Sequence, residues 1–425
     1  MNNSQIRRII LFINFYLLFT VLYFYFGRYN WQIPSNGKLL LFIISVYLFL
    51  NLGFLIGFKR STLTLPTNKI GKNVLKIFNI SCIMLIIFQI MWVITILGKF
   101  NFLSIISNLG DNYIDRLDSS NSSVVPIMQI RTLLWGMTLF VYPIGFMIFK
   151  NMPFSSKFIF LITIVTDVLA SLNMGISKNI GDIVLVFLLV SFIKNKKPSK
   201  YLIKIVAMII LFLSIFGTIQ IIRDNSYGYN STDNQIRFIN STNRDFSVFD
   251  VLSFGNNTVR SVVDRFGFYI SHGYAGLAYS LELSHESTFG LGISRALMEY
   301  AESYFGLSVQ SNTYVERIDS EFGWPNGIYW STSFVWVASS FTFWLTPLFF
   351  LFFGFLFVRV ISRFYKYKDI FSLSFAAILF IQLIYLPANA QILQARTSFF
   401  GTIFLSVVYL LSSRAVKCNE KFIVL

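Results

Sequence analysis

Ten long apolar segments set the terms on which this chain can fold. They run over 9–26, 38–58, 77–98, 129–149, 158–172, 181–193, 201–222, 333–357, 369–386 and 398–413. Most are long enough to cross the roughly 30 Å hydrocarbon core of a bilayer as helices. Inside that core every backbone N–H and C=O must be paired within its own segment, which selects helices over loose strands. The pair 158–172 and 181–193 is short, and only "NMGISKNI" separates them. They read either as two tight spans or as a re-entrant pair. The fold class is therefore an all-α polytopic membrane protein with about 10–12 transmembrane helices. An apolar share of 55% is above what a soluble domain carries.

Charge orients the spans. Lys and Arg collect on the cytoplasmic side of short loops, and Arg7 and Arg8 precede the first span. That places the N-terminus inside, together with 59–76, 150–157, 194–204, 358–368 and the tail from Arg414. These segments hold 21 of the 35 basic residues, against two acids, Asp369 at the edge of one and Glu420. Both termini are then cytoplasmic, in agreement with an even number of spans. The formal charge of +16 is an orientation signal, so nucleic acid is excluded as a partner. The first apolar run lacks a small-residue cleavage site and reads as a retained span. Cys82 and Cys418 fall in a span and in the inner tail, so no disulfide staples the outer regions.

Three divisions follow: an N-terminal transmembrane bundle over 1–222, a large outer loop over 223–330, and C-terminal transmembrane helices over 331–425. Within the loop, helix-like runs appear at 258–283 and 294–305 between turn-rich stretches such as "FGWPNG". In the first run Tyr274, Leu277 and Leu281 share one face, which suits a helix on the membrane surface or packed on the bundle.

The two sides use different cations. The inner segments carry 15 Lys and 6 Arg. The loop carries Arg223, Arg237, Arg244, Arg260, Arg265, Arg295 and Arg317, and no Lys. Either residue supplies charge, but only Arg adds a planar fork that grips phosphate in two places. Arg265, Arg295, Arg223 and Arg260 are the candidates for holding a phosphate or diphosphate near the membrane. Pairing with the loop's own acids is the plainer alternative.

Both histidines of the chain, His272 and His285, lie in the stretch "YISHGYAGLAYSLELSH". His272 is the catalytic candidate. Gly273, Ala275, Gly276 and Ala278 leave room around it for backbone or a bulky substrate. A neutral imidazole can take a proton from a hydroxyl, and a protonated one can bind phosphate. A structural hydrogen bond is the alternative. His285, in "LSHES", reads as a solvated loop residue.

Scattered acids and two His give no zinc-type spacing, so no metal and no cofactor is expected. The acidic "GDNYIDRLD" at Gly110–Asp118 lacks the Gly and terminal Glu of an EF-hand and reads as a solvated loop that could take part in binding sugars. No Walker motif, GxSxG elbow or kinase signature occurs. Chemistry on the outer side therefore points to a lipid-linked activated donor.

The organisation resembles the bacterial O-antigen polymerase family (Wzy) and related oligosaccharide repeat-unit polymerases. The resemblance rests on many spans, one large outer loop late in the chain, "HGYAGL" at His272–Leu277, and "FGWPNGIYWSTSFVWVASSF" entering the next span. Members often place a Gly eleven residues after an Arg, and Arg244/Gly255, Arg265/Gly276 and Arg295/Gly306 fit. A Gly-Ser-Arg-like turn common in the family is replaced here by "GISKN" with Lys178.

The resemblance implies a glycosyltransferase of the C superfamily in the bacterial inner membrane. It would move a growing glycan from undecaprenyl diphosphate to the non-reducing end of a lipid-linked repeat unit on the periplasmic side. Its partners would be the lipid-linked donor and acceptor, membrane lipid, a chain-length regulator and a flippase. Trp324, Tyr329 and Trp330 could stack on sugars or anchor at the interface. An O-antigen ligase shares the donor and loop plan. A lipid-linked oligosaccharide flippase would need ionisable groups along its spans, where Asp167 and Asp182 are the main ones.

Overall fold

The computed structural model describes residues 2–59, 72–100, 109–119, 126–195, 199–227, 238–239, 257–326 and 329–417. Arg237, Arg244 and Gly255 lie outside them. No strand occurs among the described residues; two isolated bridges, Trp31 with Ile239 and Asn326 with Tyr329, are the extended pairings. Six helices there are long and apolar enough to cross a membrane, and three shorter apolar helices accompany them. Contacts divide the chain into two compact units that do not follow the three stretches read from hydropathy.

Unit one takes Met1–Leu63, Asn234–Ser362 and Ile378–Phe399. Its first helices are α1 (Asn2–Phe26) and α2 (Asn36–Lys59). On α1 one stripe, Ile6, Ile9, Ile13 and Leu17, is buried, while Leu11, Phe15, Leu18 and Leu22 are exposed. A soluble helix would put polar residues on that second face. Here both faces are apolar, as expected where one packs on protein and the other on lipid.

Numbering continues across the chain with α3 (Lys72–Leu97), α4 (Leu109–Ser119), α5 (Pro126–Thr138), α6 (Val141–Ile148), α7 (Phe154–Asn173), α8 (Lys178–Lys194) and α9 (Ser199–Tyr227). Then follow α10 (Asn257–Ser280), α11 (Arg295–Phe305), α12 (Tyr314–Phe322), α13 (Ser333–Phe341), α14 (Thr346–Tyr367), α15 (Ile370–Tyr385) and α16 (Arg396–Lys417).

Helix α10 belongs to unit one and is packed on the bundle. All its residues from Gly267 to Ala278 except Tyr269 are buried. The Tyr274 hydroxyl pins it, 2.9 Å from Thr20 Oγ1 on α1 and 2.7 Å from the Tyr47 hydroxyl on α2. The small residues around His272 admit backbone. A Cβ on Gly273 would strike the Pro387 carbonyl oxygen, and one on Gly276 would press on Trp330 and Ser331. Helices α11 and α12 end at Gly306 (φ 66°) and Gly323 (φ 70°), left-handed positions suited to Gly. Arg295 and Gly306 are thus the start and the stop of α11, so their spacing is the length of that helix.

The hydropathy of 333–357 predicts a single span, and the structure breaks it. Buried α13 ends at Phe341, and α14 begins at Thr346 after Thr342 takes a positive φ of 78°. Pro347 suits the restart, since proline is favoured in the first turn of a helix, where its missing N–H has no intrahelical partner to lose.

Unit two takes Thr64–Asp233, Arg363–Ala377 and Phe400–Leu425. Helices α7 and α8 are two helices joined by a turn through Gly175 (φ 62°). Lys178 opens α8 and pairs with Asp182 at 2.9 Å. The acidic stretch read as a solvated loop is helix α4, with Leu109 and Asn112 buried. Leu109, at its start, packs in a cluster with Ile180 of α8 and Ile219 of α9, which a search for ligand spacing overlooks. Asp167, buried in α7, accepts from Gln89 at 2.5 Å and from the Tyr142 hydroxyl. The Arg131 guanidinium lies 4.7 Å from the ring centres of both Trp92 and Trp135. Arg363 binds the Tyr409 carbonyl (2.8 Å) and Ser412 Oγ (2.7 Å) and pairs with buried Asp369 at 3.1 Å.

Candidate functional site

A polar cleft of about 190 Å³ opens in unit one. Trp330, Tyr329 and Trp336 form aromatic wall; Gln310, Asn326, Asn389 and Gln394 supply amides; Arg295 and Glu316 supply charge. Three segments converge there: the α11–α12 region, the chain leading into α13, and the link between α15 and α16. The last two are tied together, since Ser333 N–H donates to the Leu386 carbonyl (3.0 Å) and Ser333 Oγ to that of Asn389 (2.8 Å).

His272 stands behind this wall. Its ring is 2% exposed and stacks on Phe268 with centroids 4.7 Å apart. Nδ1 lies 2.7 Å from the Phe268 carbonyl oxygen, and the Trp330 backbone N–H donates to Nε2 at 2.8 Å. A carbonyl only accepts and a backbone N–H only donates, so the ring is the neutral Nδ1–H tautomer. Burial agrees, pushing its pKa down to about 4. Both nitrogens are occupied, Nδ1 within its own helix and Nε2 by Trp330.

The sequence candidates separate. Arg295 lines the cleft, while Arg260 and Arg265 do not. Arg260 is exposed near the start of α10. Arg265 is half-buried, and its charge acts on Tyr29, whose hydroxyl burial raises to about 12. Nearby Arg28 pairs with Asp264. Arg223 lies in α9, with its side chain outside the described ones. Arg317 is committed to structure through the Ser284 carbonyl (2.7 Å), Glu286 (3.1 Å) and Glu321 (3.0 Å). His285 is exposed, 6.0 Å from the Tyr314 ring. Of the aromatic candidates, Tyr329 and Trp330 line the cleft, whereas Trp324 is 1% exposed and packs behind Tyr329 at 5.2 Å.

Other members were missed. Arg396 pairs with Glu299 at 2.7 Å, and the same carboxylate takes Arg295 at 3.0 Å. Two guanidiniums, one of them lining the cleft, thus share one carboxylate, leaving one positive charge in excess. Asn389 and Gln394 come from "LPANAQILQAR", a polar interruption between apolar segments that signalled a loop and no more. Glu316 belongs to "TYVE", a capping-box pattern, and Thr313 Oγ1 does cap α12 by accepting from Glu316 N–H at 3.3 Å. Among the described residues, no group of three His, Cys, Asp or Glu is placed to hold a metal ion.

Fold and site together define an all-helical, multi-pass membrane protein with a polar, aromatic-walled cleft beside a pair of arginines. No known protein family, curated protein or solved structure matches the chain.

Proposed function

We propose that the chain is a repeat-unit polymerase. It would transfer a glycan from undecaprenyl diphosphate to a lipid-linked acceptor on the outer face of a bacterial inner membrane. Both termini would be cytoplasmic, within a glycosyltransferase C-like plan, alongside a flippase and a chain-length regulator. The observation that carries this reading is the cleft. Flat aromatic faces beside several amides and a carboxylate suit a sugar, whose rings present C–H faces and whose edges present hydroxyls. Arg295 lines it, and Arg396 is held beside Arg295 through Glu299, so that two forks could neutralise a departing diphosphate. His272 then serves as a positioning residue, fixing the Trp330 backbone and so its ring.

The test is reconstitution. Purified protein in liposomes receives the lipid-linked units that accumulate in cells lacking this chain. A ladder of lengthening glycans with release of polyprenyl diphosphate is the expected product, and Trp330→Ala should abolish the ladder. Transfer to lipopolysaccharide core alone would instead make it a ligase. Movement of the lipid across the bilayer without transfer would make it a flippase.

A further inference from the structure

We infer that Glu316 is the proton acceptor for the attacking sugar hydroxyl, a deepening that rests on the polymerase reading. Glu316 occupies the third residue of α12, where a capping-box carboxylate normally reaches back to the cap's own N–H. Here it turns away. Its Oε1 takes Gln310 Nε2 at 2.6 Å and Asn326 Nδ2 at 2.6 Å. Asn326 is itself fixed, its backbone N–H bonded to Asp319 Oδ2 at 3.0 Å. Two amides from different loops thus set the plane of one carboxylate. No donor among the described residues reaches its second oxygen, Oε2.

The cleft offers no rival base. Among the described residues that line it, Glu316 is the one acid. Glu299 is taken by two arginines, and both nitrogens of His272 are engaged. An arginine does not give up its proton in this role. A carboxylate with one oxygen anchored and the other open is the arrangement general-base chemistry needs.

The step balances without a further reactant. The acceptor hydroxyl oxygen attacks the anomeric carbon. The bond from that carbon to the phosphate oxygen breaks, and its electron pair leaves on the diphosphate, beside Arg295 and Arg396. The hydroxyl proton passes to Glu316 Oε2 and is later released to water.

The experiment uses the full chain in liposomes with the lipid-linked units from cells lacking it. Glu316→Gln keeps an oxygen for both amides and removes the base. Turnover should fall about 100- to 10,000-fold, while quenching of Trp fluorescence by the same glycolipid should report binding within a few-fold of wild type. Glu316→Ala should regain turnover when formate is added, a rescue that a purely structural carboxylate would not give. Glu316→Gln turning over within tenfold of wild type would overturn the base and leave the polymerase reading intact. A loss explained by lost binding, or no rescue of Glu316→Ala, would also overturn it. Wild-type protein that makes no polymer would overturn both.

Discussion

At the scale of single residues, His272 separates two kinds of importance. Removing its ring leaves the Trp330 N–H, in a half-buried residue, without this acceptor, at a cost of about 1–3 kcal/mol. Gln carries both a donor and an acceptor, so His272→Gln should keep much of the turnover that His272→Ala loses. A base would be lost equally in both, and equal loss in the liposome assay would restore a catalytic role. The pKa of about 4 lies below the ordinary 6.5 for His. The unfolded chain therefore binds the proton more readily between those values. Stability linked to this ring is present above pH 6.5 and lost as pH falls towards 4, by up to about 1.4 kcal/mol per pH unit. Wild-type unfolding temperature should drop across that window, and His272→Gln should flatten the drop. For the arginine pair, Arg295→Lys and Arg396→Lys each replace a fork by a point charge. Each should cost about tenfold to a hundredfold in turnover, the loss of one charge-assisted contact. The sequence marked His272 as a catalytic candidate and Trp330, separately, as a residue that could stack on sugars. It could not show that they bond, because the contact spans a separation that no local pattern encodes.

Elements were the most legible level. Long apolar runs became helices because no other backbone closes its own hydrogen bonds in hydrocarbon. The break at Thr342 was readable in Pro347, but the continuous hydropathy of 333–357 hid it. The helix α4 is hidden in the sequence because its acids invite a reading as ligands, while the apolar residue that anchors it, Leu109, stands just before them. One crossing also has a local signature. Gly53 and Gly57 of "GFLIG" lie where α2 passes α14, and Gly354 faces Leu50 from the other side. A Cβ at Gly53 would collide with the Leu351 carbonyl oxygen, which is backbone and cannot swing aside. Such small-residue stripes let helices approach closely where hydrophobicity alone gives no drive to associate. Gly53→Val should destabilise by about 1–3 kcal/mol as an overpacked contact, visible as a lower temperature of aggregation in detergent. Leu52→Val, at an exposed position, should leave that temperature within a degree or two of wild type. In α7, Asp167→Ala would strand the Gln89 and Tyr142 donors, and Asp167→Asn would keep an acceptor for at least one. Thermal stability should rank wild type, then Asn, then Ala. Full polymer synthesis by Asp167→Asn would mark the cluster as structural.

For the molecule as a whole, unit one supplies its own test of orientation. The Tyr279 hydroxyl donates to the Gln32 carbonyl at 2.6 Å, and Gln32 N–H to that of Phe238 at 2.9 Å. The link between α1 and α2 is thus joined to the C-terminal end of α10, and the cleft's own segments are joined through Ser333. At the opposite ends of α1 and α2 stand Arg7, Arg8 and Lys59. On the proposed reading, the bias of Lys and Arg towards the cytoplasm would put the start of α1 inside and the cleft outside. Ser4 and Ser320 are both exposed and report on those two ends. In a background carrying Cys82→Ala and Cys418→Ser, Ser320→Cys should react with a membrane-impermeant maleimide in intact spheroplasts. Ser4→Cys should react only after lysis. Labelling of Ser4→Cys alone before lysis would place the cleft in the cytoplasm. A diphosphate-linked donor displayed on the outer face could not reach it there, and the transfer chemistry assigned to Arg295, Arg396 and Glu316 would have no substrate.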